Sequence, residues 1–152
     1  MGDLNDVRAV AMRLLATREH CTSELQRKLS QKGFGANEIA AIIEECRQNR
    51  FLSDERFTEA FVNSRRERGN GPARIQKELQ QHQIDADLIA TYLDFRDPEW
   101  IVRAGQVREK KFGSEIPDDY KEKMRQARFL EYRGFSHDQI QRALREDDLV
   151  CG

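Results

Sequence analysis

The amino-acid sequence repeats one unit about three times, and this repetition constrains the fold more than any other feature. Between residues 24–43 and 74–93, apolar positions coincide at a constant offset of 50 residues, without a gap. The matched pairs are Leu25 and Ile75, Leu29 and Leu79, Phe34 and Ile84, Ile39 and Ile89, and Ile43 and Leu93. A third copy follows at an offset of 101, where Gly134–Phe135 matches Gly33–Phe34. Small tandem units must share buried surface, so the sequence predicts an elongated array, which favours binding over catalysis.

Helical spacing of apolar residues runs along nearly the whole chain, and no stretch alternates as a strand would. The pattern predicts nine helices in three groups, and therefore an all-α fold made of three tandem three-helix repeats. We place the first repeat at 1–52, the second at 53–96, the third at 97–148 and a tail at 149–152.

Local signals mark several predicted helix boundaries. Ser23 and Gln26 have the spacing of a capping box, which predicts that Ser23 caps the second helix. Gly33 is expected to end that helix, because glycine accepts the left-handed backbone of a helix stop. Ser136 and Gln139 have the same capping-box spacing at the start of the ninth helix.

The composition indicates a thin core and a large charged surface. Hydrophobic residues make up 38% of the chain and charged residues 35%, against roughly 45–50% and about 25% in average soluble proteins. The formal net charge is only −1. Because a protein that functions mainly by binding nucleic acid is usually clearly basic, this balance favours a protein partner, although local basic patches remain.

Several classes of protein are not indicated by the sequence. No apolar run approaches the roughly 18 residues of a membrane span, and the N-terminal residues lack the pattern of a signal peptide. The three cysteines are Cys21, Cys46 and Cys151, and none forms a CxxC pair. We therefore expect reduced thiols in a soluble cytoplasmic protein. Acids, bases and nucleophiles do not cluster, so we expect no enzyme activity, no cofactor and no metal site.

The second repeat carries a run of about thirty ordered positions that is far more specific than a short motif. It consists of Phe51-Leu52-Ser53-Asp54-Glu55-Arg56-Phe57, Phe61, Ser64-Arg65, Arg68-Gly69, Gly71-Pro72, Arg74-Ile75 and Glu78-Leu79. The first repeat adds Leu15-Ala16, Arg18-Glu19-His20, Glu24-Leu25 and Lys28-Leu29, and the third adds Ala127-Arg128-Phe129-Leu130 and Arg133-Gly134-Phe135. From about Arg8 to Leu144, the chain resembles the RecX family of bacterial modulators of the RecA recombinase.

The resemblance implies an array of three-helix units that binds the RecA filament on DNA within its helical groove. It implies a negative regulator that curbs ATP hydrolysis, strand exchange and repressor cleavage, and so modulates DNA repair, recombination and the SOS response. We expect the chain to act as a monomer. Two alternatives remain open. The chain could be a sequence-independent DNA-binding protein that acts indirectly, or a general helical-repeat scaffold for other proteins.

Two groups of cations are the candidate partner-binding or DNA-binding residues. The first surrounds a glycine loop and consists of Arg65, Arg66, Arg68, Arg74 and Lys77. The second consists of Lys110, Lys111, Arg125 and Arg128, in a stretch that also contains Arg103, Arg108 and Arg133. Arginine pairs bidentately with phosphate or carboxylate, so both groups suit DNA in the filament or acidic residues on RecA. The alternative interpretation is a solvated, salt-bridged surface.

Overall fold

The computed structural model describes residues 3–145, which form nine α-helices and no β-strand. The helices are α1 Leu4–Thr17, α2 Thr22–Gln31, α3 Ala36–Gln48, α4 Asp54–Glu67, α5 Pro72–Gln81, α6 Ala86–Tyr92, α7 Glu99–Phe112, α8 Tyr120–Arg133 and α9 His137–Ala143. The predicted all-α class is confirmed, whereas the predicted tail at 149–152 lies outside the described residues. Among the described residues, 3–61 and 79–89 form a first compact unit, and 62–78 and 90–145 form a second.

The first unit has its core where α1, α2 and α3 pack against one another. The fully or nearly fully buried side chains of this core are Val7, Ala11, Leu25, Leu29, Ile39, Ile42, Ile43, Cys46 and Leu52. Their spacing of three or four residues along each helix places them on one face, as the sequence predicts. The core is therefore built by amphipathic helices that are too short to be stable alone.

The same turn recurs at the three positions that the sequence repeat aligns. Gly33, Gln83 and Gly134 all have a positive φ, of 89°, 58° and 102° respectively. In each case the backbone N–H donates to the carbonyl three residues earlier. The predicted helix stop at Gly33 is thus confirmed, and the second repeat makes the same turn with Gln83 in place of glycine.

The leucine that precedes each turn occupies the centre of the buried face. Leu29, Leu79 and Leu130 are all 0% exposed. Four residues earlier, the first two repeats have Leu25 and Ile75, which are also 0% exposed, whereas the third has Gln126 at 3%. The third repeat therefore carries a polar side chain at a position that is apolar in the other two.

The start of α2 differs from the predicted Ser23–Gln26 capping box. The helix begins at Thr22, and the Asp54 side chain accepts a hydrogen bond from the Thr22 backbone N–H at 2.7 Å. The Ser23 hydroxyl donates instead to the His82 carbonyl at 2.5 Å. Because a carboxylate from another helix satisfies the free N–H, the local capping signal is overridden. The capping box at Ser136–Gln139 is confirmed.

A buried histidine lies at the connection between α1 and α2 in the first unit. His20 is 1% exposed, with Nδ1 3.0 Å from the Arg18 carbonyl and Nε2 3.0 Å from the Lys28 ammonium. A neutral ring with its proton on Nδ1 satisfies both contacts. Burial lowers the pKa of His20, and the charge of Lys28 lowers it further against the opposing effects of the Arg18 carbonyl and Glu24.

Because the unfolded chain then binds more protons than the folded one, stability should decrease as the pH falls below about 6.5, the ordinary pKa of histidine. We expect urea denaturation at pH 7.5 and pH 5.5 to show this loss in the wild-type protein. The His20→Gln variant, which cannot be protonated in this range, should lose clearly less between the two conditions. An undiminished loss in that variant would assign the acid sensitivity to other groups.

The second unit packs α7, α8 and α9 against one another. Its buried side chains include Trp100, Ala104, Leu130, Phe135, Ile140 and Ala143. Arg108, which the sequence groups with exposed cations, is instead 2% exposed. Its guanidinium donates to Gln126 Oε1 at 3.2 Å and to the carbonyls of Ser114 and Glu115 at 3.3 and 3.2 Å. Arg108 thereby anchors the loop between α7 and α8 to the buried amide of Gln126.

Candidate functional site

Six cations of the second unit line a cavity of about 580 Å³, which we call the cationic groove. They are Arg66, Arg68, Arg103, Lys110, Lys111 and Arg133. Among the described residues that line it, Glu67 is the one carboxylate, and the Phe129 ring provides an apolar wall. A concave surface with this excess of positive charge concentrates the field that attracts anions.

Helical periodicity brings three lining residues of α7 to the same wall of the groove. Arg103, Val107 and Lys110 are spaced by four and three residues, so they lie on one face of the helix. Arg103 forms an ion pair with Glu99 at 3.3 Å. Lys111 lies next to Lys110 and extends over the Phe129 ring, with 5.7 Å between its Nζ and the ring centroid.

Arg133 fixes the glycine loop that carries Arg68. Its Nε donates to the Gly69 carbonyl at 3.2 Å and its Nη2 to the Arg68 carbonyl at 2.6 Å. In return, the Gly71 backbone N–H donates to the Arg133 carbonyl at 2.7 Å. Three hydrogen bonds therefore hold the loop between α4 and α5 to the C-terminal end of α8.

Arg66, which lines the groove, is held in place by packing. Its guanidinium lies 5.8 Å from the Trp100 ring centroid, and its Nη2 donates to Asn63 Oδ1 at 2.9 Å. Stacking of a guanidinium on an indole is favourable and limits the rotamers of the arginine. Arg66 thus belongs to the groove and also to the packing around Trp100.

Of the nine candidate residues from the sequence, four lie together in the cationic groove: Arg66, Arg68, Lys110 and Lys111. Two others, Arg65 and Arg74, are not among the lining residues of the groove and form ion pairs instead. Glu78 accepts from Arg65 at 3.0 Å and lies 3.5 Å from Arg74. Glu78 therefore partly neutralises both arginines, which is the salt-bridged arrangement of the alternative interpretation.

The remaining candidates lie on α5 and α8. Arg125 forms two hydrogen bonds with the Glu122 carboxylate, at 2.8 and 3.0 Å. Hydrogen bonds from Arg125 and Gln126 lower the pKa of Glu122 to about 2. Lys77 and Arg128 are exposed.

Two groove residues, Arg103 and Arg133, were not among the predicted site residues. Arg103 could have been found from the sequence, because it lies seven residues before Lys110 and so on the same helix face. Arg133 carries no such signal, since its role depends on contacts with Arg68 and Gly69, which are more than sixty residues away in the chain.

Both described cysteines are buried packing residues. Cys21 is 0% exposed and Cys46 is 1% exposed, and burial raises the pKa of both thiols. Cys151 lies outside the described residues. Across residues 3–145, we find no helix long and apolar enough to cross a membrane and no group of three acidic, histidine or cysteine side chains that could hold a metal ion.

Comparison with known proteins identifies the family. The models for the first, second and third three-helix domains of RecX match residues 8–46, 53–93 and 99–144. The chain belongs to the RecX family. The resemblance seen in the sequence is confirmed, and so are the three three-helix units. The RecX family is a family of regulatory proteins.

Curated RecX proteins resemble the chain over most of their length. The regulatory protein RecX of Halorhodospira halophila is 42% identical over 137 residues, which are 90% of this chain and 85% of that protein. The RecX protein of Legionella pneumophila is 40% identical over 90% of this chain and 91% of its own. The crystal structure of RecX from Lactobacillus salivarius has the same fold, with a TM-score of 0.83, 22% identity and 97% of both chains covered.

Proposed function

We propose that this RecX-family chain is a non-enzymatic negative regulator of RecA that binds the RecA–DNA filament in its helical groove. In this proposal it inhibits the ATPase, recombinase and coprotease activities of RecA in the cytoplasm, and so modulates DNA repair, recombination and the SOS response. Membership of a family of regulatory proteins supports a binding role. The observation that carries the proposal is the cationic groove, which gives a chain of net charge −1 a local site for an anionic partner.

The inhibition follows from differential binding. In this proposal, RecA changes its arrangement in the filament during ATP turnover, and a protein that binds one arrangement more tightly shifts the population towards it. The free-energy difference between the two arrangements changes by the difference in their binding free energies, so a regulator needs no reaction of its own. A protein that contacts neighbouring RecA subunits at once is sensitive to their relative position.

The groove residues have the chemistry to contact DNA phosphates in the filament or carboxylates on RecA. Arg68, Lys110 and Lys111 are exposed, and no ion pair involves them among the described residues. A hydrogen bond to a charged group contributes about 1.5–3 kcal/mol. Even one lost contact should therefore weaken binding about tenfold.

The test is the triple variant in which Arg68, Lys110 and Lys111 are replaced by alanine. We expect unchanged helicity by circular dichroism, because all three side chains are exposed. The concentration that half-inhibits RecA-catalysed ATP hydrolysis on single-stranded DNA should rise about tenfold or more. The matched control replaces three exposed cations of the first unit, Arg13, Arg27 and Lys32, and so removes the same charge. Inhibition that is unchanged in the groove variant, or weakened equally in the control, would exclude the groove from the mechanism.

The groove also favours a second candidate function, in which the chain binds DNA without RecA. Single-stranded DNA binding driven by phosphate contacts weakens with salt, with a log–log slope of about −0.7 per contact. Removing three contacting cations should then reduce the slope by about 2. Co-sedimentation across a salt series, with RecA filaments and with naked DNA, separates the two functions. Equal affinity for both substrates would favour the DNA-binding function over RecA regulation.

A further inference from the structure

The outer face of α8 carries large side chains that remain exposed in the second unit. We define the outer face of α8 as the side chains of Tyr120, Met124, Arg128 and Tyr132, which are spaced four residues apart. Tyr120 is 74% exposed, Met124 37% and Tyr132 76%. Side chains this exposed contribute little to the folding of the unit. Two large rings exposed on one helix face therefore indicate a surface that binds a partner.

The outer face lies opposite the side of α8 that packs into the core. Gln126 and Leu130 are buried on that side, at 3% and 0% exposure. With about 100° between successive residues, the four side chains of the outer face point away from Gln126 and Leu130. Tyr120 and Tyr132 are twelve residues apart, so the face is about 18 Å long at 1.5 Å per residue.

The charge around this face is positive. Arg128 and Lys121, which are seven residues apart on α8, are exposed, and among the described residues neither forms an ion pair. The Arg74 guanidinium of α5 lies 5.6 Å from the Tyr132 ring centroid, and Glu78 partly neutralises it at 3.5 Å. Exposed carboxylates also occur here: Glu131 lies on this side of the helix, and Asp118 and Asp119 directly precede Tyr120. An acidic partner would thus meet a surface of complementary charge.

The kinds of residue on the outer face are those that protein–protein interfaces favour. Tyrosine, methionine and arginine are enriched at such interfaces, and tyrosine and arginine contribute most of the binding energy there. Met124, between the two tyrosines, offers neither charge for a phosphate nor an aromatic ring for a base. These observations favour a protein over a nucleic acid as the occupant.

We propose that the outer face of α8 docks against an acidic surface of RecA that also carries apolar side chains. This inference rests on the proposed function and deepens it, since it adds a protein contact to the anion contacts of the cationic groove. The tyrosine rings and Met124 pack against the apolar side chains of RecA, and Arg128 pairs with its carboxylates.

The test uses the full chain and measures its dissociation constant for RecA filaments on single-stranded DNA by co-sedimentation at fixed salt. We expect Tyr132→Ala and, separately, Arg128→Glu to weaken binding about tenfold or more. Tyr132→Phe keeps the ring and should bind within about twofold of the wild type. Phe51→Ala removes an aromatic side chain that is 49% exposed in the first unit, and it should also bind as the wild type does.

Each variant is also measured on a naked 30-nucleotide oligothymidylate. Weaker binding to filaments with unchanged binding to the oligonucleotide supports the proposal. Unchanged binding of Tyr132→Ala and Arg128→Glu to filaments would overturn it and leave the proposed function intact. A parallel loss on the oligonucleotide would also overturn it, because the face would then be a nucleic-acid site. If the wild-type chain failed to bind filaments at all, the proposed function would fail together with this inference.

Discussion

Replacement of Leu29 by alanine is expected to lower the free energy of unfolding by about 2–5 kcal/mol, the range for deletion of a buried leucine side chain. Leu29 is 0% exposed and belongs to the core formed by α1, α2 and α3. The core residues around Leu29 lie on three helices, so no single side chain can move to fill the cavity that the alanine would leave. The loss in stability is therefore the sum of the lost burial of the leucine side chain and the cost of the cavity.

Urea denaturation at pH 7.5 measures the loss. With a slope of about 2 kcal/mol per molar urea, a loss of 2–5 kcal/mol lowers the midpoint by about 1–2.5 M. The matched control is Leu4→Ala, because Leu4 is also on a helix of the first unit but is 43% exposed. The control should lose less than about 1 kcal/mol. A loss at Leu29 as small as that at Leu4 would contradict the assignment of Leu29 to a packed core.

The buried positions were predictable because periodicity alone selects them. Leu29, Leu79 and Leu130 stand at the same place in three copies of one pattern, and all three are fully buried. The left-handed turn after each leucine was predictable at Gly33 and Gly134 from the glycine itself. At Gln83 the same turn is formed without a glycine, so only the repeat alignment could indicate it.

The local signals that misled prediction were overridden by contacts from distant parts of the chain. Ser23 has capping-box spacing, yet Asp54, more than thirty residues away, caps the helix instead. Arg108 stands among charged residues in the sequence, but the Gln126 amide and two loop carbonyls make its burial tolerable. Neither the cap from Asp54 nor the burial of Arg108 could be predicted from the residues that adjoin it in the sequence.

In the candidate site, helical periodicity predicts the directions of some side chains but not the contacts between distant parts of the chain. Arg65 and Arg66 are adjacent in sequence, but successive side chains on an α-helix point about 100° apart. Arg65 consequently reaches Glu78, whereas Arg66 stacks on Trp100 and lines the groove. That separation could have been inferred from the sequence, because it depends on helix geometry alone. The contribution of Arg133 could not, since it requires the tertiary contact between α8 and the loop after α4.

The second large loss of stability that we expect is at Gly134, where the end of α8 packs closely against Arg74 of α5. The residue has a φ of 102°, and a Cβ there would lie 2.7 Å from the Arg74 backbone nitrogen and would also meet the Arg74 Cβ. A side chain is therefore disfavoured twice, by the backbone conformation and by the close approach of α5. The left-handed conformation costs about 1–2 kcal/mol, and overpacking against a fixed neighbour costs about 1–3 kcal/mol.

We accordingly expect Gly134→Ala to lower the free energy of unfolding by about 2–5 kcal/mol, the sum of these two contributions. Gly33→Ala is the matched control, because Gly33 occupies the same place in the first repeat, has a φ of 89° and has nothing within 4 Å of the added Cβ. It should lose only the conformational part, about 1–2 kcal/mol.

The difference between the two variants, measured by urea denaturation, isolates the contact between α8 and α5. The Gly134 carbonyl also accepts a hydrogen bond from the Ala73 N–H at 2.9 Å, next to the glycine loop that carries Arg68. Gly134→Ala should consequently shift this loop and weaken inhibition of RecA at protein concentrations and temperatures where the variant is still folded, whereas Gly33→Ala should not. Equal losses of stability in the two variants would mean that α5 moves aside at little cost, and the loop would then not depend on Gly134 for its position.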